Sequence, residues 1–239
     1  MNLDEFRKEI KDQALINNVK INENSIEKYY TYMKEIIKWN DKINVTAITE
    51  EKEFIVKHFI DSLTVSREIE ESETIIDIGT GAGFPGIPLK LNYPDKKITL
   101  IDSVNKKLNV IRDITSKFDL NDLEIIHTRA EDLAINEKYR EKYDIAITRA
   151  VSNLSTIMEY MLPFVKIGGK AICMKGPNFQ EELEESKKAI KLLGGQIEKI
   201  ETVFVNGEIE RNLIIINKIK NTPKQFPRGK GKPQKEPIK

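Results

Sequence analysis

Over the first seventy residues the apolar positions recur at helical spacing. Ile26, Tyr30, Met33 and Ile37 fall at i, i+4, i+7 and i+11, one face of a 3.6-residue period. Asn24, with Glu27 three positions later, resembles a capping box at the head of that helix. Segments 3–16 and 50–66 read as helices too, separated from the middle one by less regular stretches such as NDKINVTAIT at 40–49. Residues 1–71 are therefore expected to form a helical extension packed on a main domain. From Ser72 the period changes. Apolar, β-rich runs at 74–79, 97–102, 123–128, 144–149 and 170–175 alternate with helical stretches, one of them striped by Val104, Leu108, Ile111, Ile114 and Phe118. That alternation predicts a parallel sheet with helices on both faces. After a helix near 180–193, two further β-like runs flank Asn206-Gly207, a hairpin signal. The expected fold over 72–218 is α/β and Rossmann-like: a mostly parallel, seven-stranded sheet ending in an antiparallel hairpin.

Composition adds exclusions. One cysteine, Cys173, rules out an intrachain disulfide or a multi-cysteine metal centre, and two histidines leave little for a transition metal, so no metal is expected. The longest uncharged stretch, Ile78 to Leu89, is twelve residues and rich in Gly and Pro, short of the roughly 20 apolar residues that span a bilayer. With a charged N-terminal segment, the reading is a cytoplasmic protein with no membrane partner. The near-neutral total hides an uneven distribution. Between Lys218 and Lys239 eight basic residues stand against Glu236 alone, while the preceding residues hold 31 basic and 37 acidic side chains. The tail 219–239, with four prolines and two glycines after Ile219 and Lys220, reads as disordered on its own.

The most informative stretch is Asp77-Ile-Gly-Thr-Gly-Ala-Gly-Phe-Pro-Gly-Ile-Pro, directly after an apolar strand and leading into a helix. Gly79, Gly81 and Gly83 let the backbone turn tightly beside a ligand at the carboxyl end of the strand, where open α/β sheets bind them. The next strand ends in Asp102, placed to accept hydrogen bonds from a ribose diol. Gly81-Ala-Gly-Phe-Pro-Gly86 also satisfies GxGxxG, the dinucleotide pattern. Asp77 would repel a pyrophosphate but suits the ammonium of S-adenosylmethionine, and Pro85 and Pro88 remove amide donors that a phosphate wants. Loop, Asp77, Asp102 and hairpin together favour S-adenosylmethionine. A nicotinamide-dependent oxidoreductase, a non-catalytic RNA-binding protein on the same scaffold and a purely structural turn remain open on these residues alone.

The acceptor is narrowed by what is missing. Exocyclic-amine methylation generally uses an Asn/Asp-Pro-Pro-aromatic loop after the fourth strand, where this chain reads Thr148-Arg149-Ala150-Val151. Pyrimidine C5 methylation needs a cysteine nucleophile, and Cys173 lies in an apolar strand, where cysteine is ordinarily a small buried side chain. A guanine ring nitrogen needs neither. The basic tail suits phosphate neutralisation, and Phe226 is placed there to stack on a base.

The chain resembles the bacterial RsmG (GidB) family of 16S ribosomal RNA guanine-N7 methyltransferases. The resemblance rests on Asn44-Val-Thr-Ala-Ile, His58-Phe-Ile-Asp-Ser-Leu63, the loop from Asp77 through Leu89, Arg129-Ala-Glu131, Thr148-Arg-Ala150 and Phe226-Pro-Arg228 with Pro237-Ile238. Val45 and Phe226 depart mildly from its pattern. It implies a class I, S-adenosylmethionine-dependent enzyme acting on 16S ribosomal RNA, the small subunit or an assembly intermediate, as a monomer, by direct in-line transfer without metal or covalent intermediate. Gly79 and Phe84 resemble cofactor contacts, with Asp77, Gly81 and Gly83 shaping the pocket. Asp102 is similar to a ribose-binding acid, and Ala130 and Glu131 to an adenine border. Arg149 resembles a cofactor-site residue, and both Arg129 and Arg149 are assigned catalytic roles. Asn44, Thr46, Arg228, Lys230 and Lys232 are the RNA candidates; His58 and Asp61 are taken as structural or RNA-facing.

Overall fold

Strands β1 (Thr74–Ile78), β2 (Lys97–Asp102), β3 (Leu123–His127), β4 (Tyr143–Thr148), β5 (Val165–Lys175), β6 (Gly195–Val205) and β7 (Ile209–Lys218) build one sheet of order β3-β2-β1-β4-β5-β7-β6. This is a computed structural model, and it describes residues 1–149 and 152–238. The pairs from β3 across to β5 are parallel, whereas β7 runs antiparallel to both β5 and β6. The seven-stranded sheet with its closing hairpin thus matches the sequence reading. Chain order reverses direction at β1, which lies between β2 and β4, and the crevice at such a switch point is where open sheets bind ligands.

Alternate residues of β1 serve opposite faces. Ile75 joins one core with Leu100, Ile147, Ile172 and Ile215, while Ile76 joins the other with Ala146, Ala171 and Ile214. Helices α1 (Leu3–Ile16) and α2 (Ile26–Asn40) cover the first face with the helices Gly86–Asn92 and Asn105–Thr115; Leu154–Met161 and Gln180–Leu192 cover the second.

The N-terminal helices differ in detail from their pattern. Helix α2 buries Ile26, Tyr29, Tyr32, Met33 and Ile36, so its inner face is turned relative to Tyr30 and Ile37. Two tyrosine hydroxyls set this rotation: Tyr29 donates to the Pro88 carbonyl at 2.7 Å and Tyr32 to that of Ala82 at 2.8 Å. A capping box at Asn24 does not form, because residues 23–25 make a separate 3₁₀ turn capped by the Asn22 side chain. The box occurs at Asn2 and Glu5 instead. The third helix is broken into Glu51–Phe54, a π-helical turn Ile55–Ile60 and Asp61–Leu63. Such turns are rare and frequently mark functional sites.

The largest departure is the tail. Arg140 donates to the carbonyls of Thr222 and Phe226, both at 2.8 Å, and Glu141 accepts the Thr222 N–H. Phe226 is buried in the second core and is not available to stack on a base. Arg228, an RNA candidate from the sequence, grips Glu159, a fully buried carboxylate, through Nε and Nη2 at 2.9 and 2.7 Å, so its charge is neutralised within the fold. Thr156 donates to the Pro233 carbonyl. Composition reads this segment as disordered because little of it is apolar; what orders it is carbonyls and one buried acid satisfied by two arginines. Lys220, Lys224, Lys230, Lys232 and Lys235 stay exposed. Removing one partner of a buried pair leaves the other charge stranded, so Arg228→Ala is expected to cost about 3 kcal/mol. That lowers the melting temperature by roughly 6–12 °C for a chain of this size. A thermal melt that leaves Arg228→Ala within a degree of the parent refutes this role of the Arg228–Glu159 pair in strapping the tail to the core.

Candidate functional site

At the carboxyl end of β1 the chain turns sharply. Gly79 takes φ +72°, a left-handed conformation strained for any side chain, and a Cβ there meets nothing within 4 Å. It donates its N–H to the Ile101 carbonyl at 2.9 Å, which ties the loop to β2. Gly86 is glycine for the opposite reason: a Cβ there lies 2.1 Å from Leu100 and 2.8 Å from an oxygen of Asp77.

That contact shows where Asp77 works. It is fully buried behind the loop, and its Oδ2 accepts from the Thr80 hydroxyl at 2.6 Å and the Gly86 N–H at 2.9 Å. Burial pushes its carboxyl up to about 6, against the pull of those two hydrogen bonds. Its Oδ1 has no partner among the described residues. Asp102, ending β2, accepts the Gly81 N–H with Oδ2 and the Val104 N–H with Oδ1, both at 2.8 Å. Each oxygen keeps a lone pair for a further donor.

Between these strand ends lies a cavity of about 330 Å³. Gly79, Asp102, Arg129, Ala130 and Glu131 line it, joined by Gly231 and Gln234 of the tail. Glu131, buried, accepts the Gly231 N–H at 3.2 Å and so fastens the tail to the cavity wall.

Arg149, one residue beyond β4, points elsewhere. Its Nη1 donates to the Lys57 carbonyl at 2.8 Å and to Asp61 Oδ2 at 2.9 Å, and its Nη2 to His58 Nδ1 at 3.0 Å. Arg211 Nε, from β7, takes the other oxygen of Asp61 at 2.9 Å. His58 lies flat on Phe84 with centroids 4.1 Å apart. Burial, and then the Arg149 charge, hold its imidazole at about 3. Because Arg149 can only donate, the neutral ring carries its proton on Nε2 and offers it to Thr46 Oγ1 at 2.8 Å.

Of the sequence candidates, Gly79, Asp102, Arg129, Ala130 and Glu131 meet in the cavity, and Gly81 borders it through its bond to Asp102. Asp77, Gly83 and Phe84 stand behind the loop, with Phe84 in an aromatic cluster with His58, Tyr32 and Phe54. Arg149 lines a neighbouring cavity. Thr46 belongs to the histidine network, Asn44 is exposed, and Ala150 and Val151 lie outside the described residues. Gly231 and Gln234 were missed, since nothing in their local sequence signals a wall formed with a loop 150 positions earlier. Among the described residues no cluster of three His, Cys, Asp or Glu is placed to hold a metal ion, and no helix is long and apolar enough to cross a membrane.

The raised carboxyl of Asp77 has a thermodynamic sign. A buried acid whose ionisation is disfavoured contributes fully below its unfolded value near 4 and loses that contribution as pH rises through about 6. Asp77→Asn cannot ionise, so it is expected to stabilise the protein at pH 8 by up to about 3 kcal/mol and to give no gain at pH 4. Thermal melts at the two pH values check this; an equal shift at both sinks the assignment.

Comparison with known proteins follows the same lines. A family model described as rRNA small subunit methyltransferase G (GidB) matches residues 23–214. The "Ribosomal RNA small subunit methyltransferase G" of Clostridium novyi is 47% identical over 223 residues, covering 92% of each chain. That of Alkaliphilus metalliredigens is 46% identical over 222 residues, covering 92% of this chain and 93% of its own. Among solved structures, an O-methyltransferase from Bacillus cereus in complex with SAH superposes with a TM-score of 0.56 at 16% identity, covering 78% of this chain and 90% of that one. TYW2 of M. jannaschii, in complex with AdoMet, gives 0.51 at 16% identity over 62% and 70%. At this identity the two show a shared fold. With the matched sequence running from the second helix into β7, the chain belongs to the small-subunit ribosomal RNA methyltransferase G (GidB) family.

Proposed function

We propose that the chain methylates N7 of a guanine in 16S ribosomal RNA, as a cytoplasmic monomer acting on the small subunit or one of its assembly intermediates. S-adenosylmethionine, the cofactor, supplies a sulfonium methyl group when bound. The observation that carries this reading is the convergence of Gly79, Asp102 and the Ala130–Glu131 segment on one cavity at the switch point of the sheet. Asp102, anchored by two backbone amides, presents a fixed acceptor for a ribose diol. Gly79 leaves open space that a side chain would fill, and Ala130 and Glu131 line the wall that would border the adenine of a bound cofactor. Asp77 acts through the loop, holding its entry and exit together, and its Oδ1, without a partner among the described residues, is a buried acceptor suited to a cationic neighbour. Arg129 stands exposed at the cavity rim, where its guanidinium would meet an RNA phosphate or the carboxylate of a bound cofactor. Lys230 and Lys232 flank Gly231 and extend a positive rim from the cavity toward RNA.

Guanine N7 carries a lone pair and no proton, so the chain needs no base; alignment and exclusion of water supply the rate. Cys173 supports this. Burial pushes its thiol up to about 12, and its sulfur sits 3.5 Å from that of Met161 inside the second core. A nicotinamide cofactor or a non-catalytic role gains no comparable support.

Incubation of 16S RNA and small-subunit particles with labelled S-adenosylmethionine, followed by strand scission specific for N7-methylguanine, is expected to map a single site. Label at an exocyclic amine or at carbon, or none at all, refutes the assignment. Cys173→Ser is expected to keep methylation within about twofold, since a thiol this protonated takes no covalent part; a folded but inactive Cys173→Ser brings back a cysteine mechanism.

A further inference from the structure

A second cavity, of about 510 Å³, opens beside the first at the same edge of the sheet. Its walls come from the ends of β4 and β5, the start of β7 and the π-helical turn, through Arg149, Lys175, Arg211, Lys57 and His58. The two cavities are neighbours through single residues. Thr148 lines the first and Arg149 the second; Ser152 lines the first, and its carbonyl accepts from Lys175 of the second at 2.8 Å.

Resting on the methyltransferase reading above, we infer that this second cavity seats the acceptor guanine nucleotide. Four cationic side chains face two carboxylates there, Asp61 and Glu182, a surplus that suits a backbone phosphate. Arg211 gives Nε to Asp61 and Nη1 to the Glu210 carbonyl, and its side chain keeps 26% exposure. Its Nη2 makes no hydrogen bond among the described residues and is the donor we assign to the phosphate. Lys57 also lines the cavity but is paired with Glu53 at 2.9 Å, so Arg211 carries the contact.

Asp61 decides how the base is read. A free arginine fork binds guanine at O6 and N7 together, which would block the very nitrogen that must react. Here both arginines are leashed to opposite oxygens of one fully buried carboxylate, and Arg149 is further tied to His58 and the Lys57 carbonyl. Neither fork is free to close on O6 and N7. The base is read instead on its other edge. Glu182, held by Lys175 at 2.8 Å and by the Leu154 N–H at 3.1 Å, accepts guanine N1–H and N2–H, Lys175 donates to O6, and Met174 and Ile48 give an apolar floor for the ring. N7 is left unbonded.

The test compares Arg211→Ala and Glu182→Gln with the parent as full-length proteins. Each is first shown to fold by its melting curve, and S-adenosylmethionine affinity is measured by calorimetry. Both variants are expected to hold the cofactor within about twofold of the parent. Arg211→Ala is expected to raise KM for 16S RNA by about tenfold or more, the loss of one charge-assisted hydrogen bond, with Arg211→Lys restoring part of it. Glu182→Gln is expected to lower methylation of guanine relative to an inosine-substituted site, which lacks the N2 amine. Normal KM in Arg211→Ala together with unchanged guanine preference in Glu182→Gln overturns the acceptor site while leaving the methyltransferase reading intact. Absence of N7-methylguanine from the parent enzyme overturns that reading itself.

Discussion

One buried carboxylate joins parts of the chain that have no other reason to meet at this point. Asp61 directly follows the π-helical turn with no exposure, and its two oxygens hold Arg149, just beyond β4, and Arg211 from β7. A single carboxylate buried alone is costly, and two half-buried guanidiniums repel each other; assembled, each condition answers the other. The helical extension is thereby locked to two strands of the sheet, and Arg149 and Phe84, with His58 stacked between the extension and the glycine loop, inherit fixed positions. Loop, second cavity and N-terminal helices are consequently one mechanical unit.

This explains why the extension belongs to the catalytic body. Helix α2 sends two buried tyrosines to carbonyls of the glycine segment, at Ala82 and Pro88. The loop is therefore braced from both sides: by Asp77 within the sheet and by Tyr29 and Tyr32 from the helix above it. A ligand-binding loop held this way reorganises little on binding, and rigid placement is what alignment-driven chemistry asks of a protein.

Much of the fold was legible in the sequence because it rests on short-range regularity. Five apolar runs with helical spacers and an Asn-Gly hairpin suffice for the sheet, and the loop from Asp77 with Asp102 suffices for the first cavity. What escaped depends on contacts between distant residues. The face of α2 is set by hydroxyls reaching carbonyls some fifty positions away, which a hydrophobic period cannot encode. Arg149 was read as a cofactor residue from its place at a strand end; its direction is decided by Asp61 and His58, 88 and 91 positions earlier. The tail was judged by its few apolar groups, whereas Arg140 and the buried Glu159 order it through polar atoms.

The strap also governs how the site comes into being during synthesis. Gly79 emerges early, but Gly231 and Gln234 close the same cavity, and Glu131, ion-paired with Arg129 at 3.9 Å, also accepts the Gly231 N–H. The whole sheet is in place by Lys218. A premature stop codon between Lys218 and Gly231 therefore yields a chain with every strand present and the wall of the first cavity incomplete, a defect that no map of the sheet alone would show.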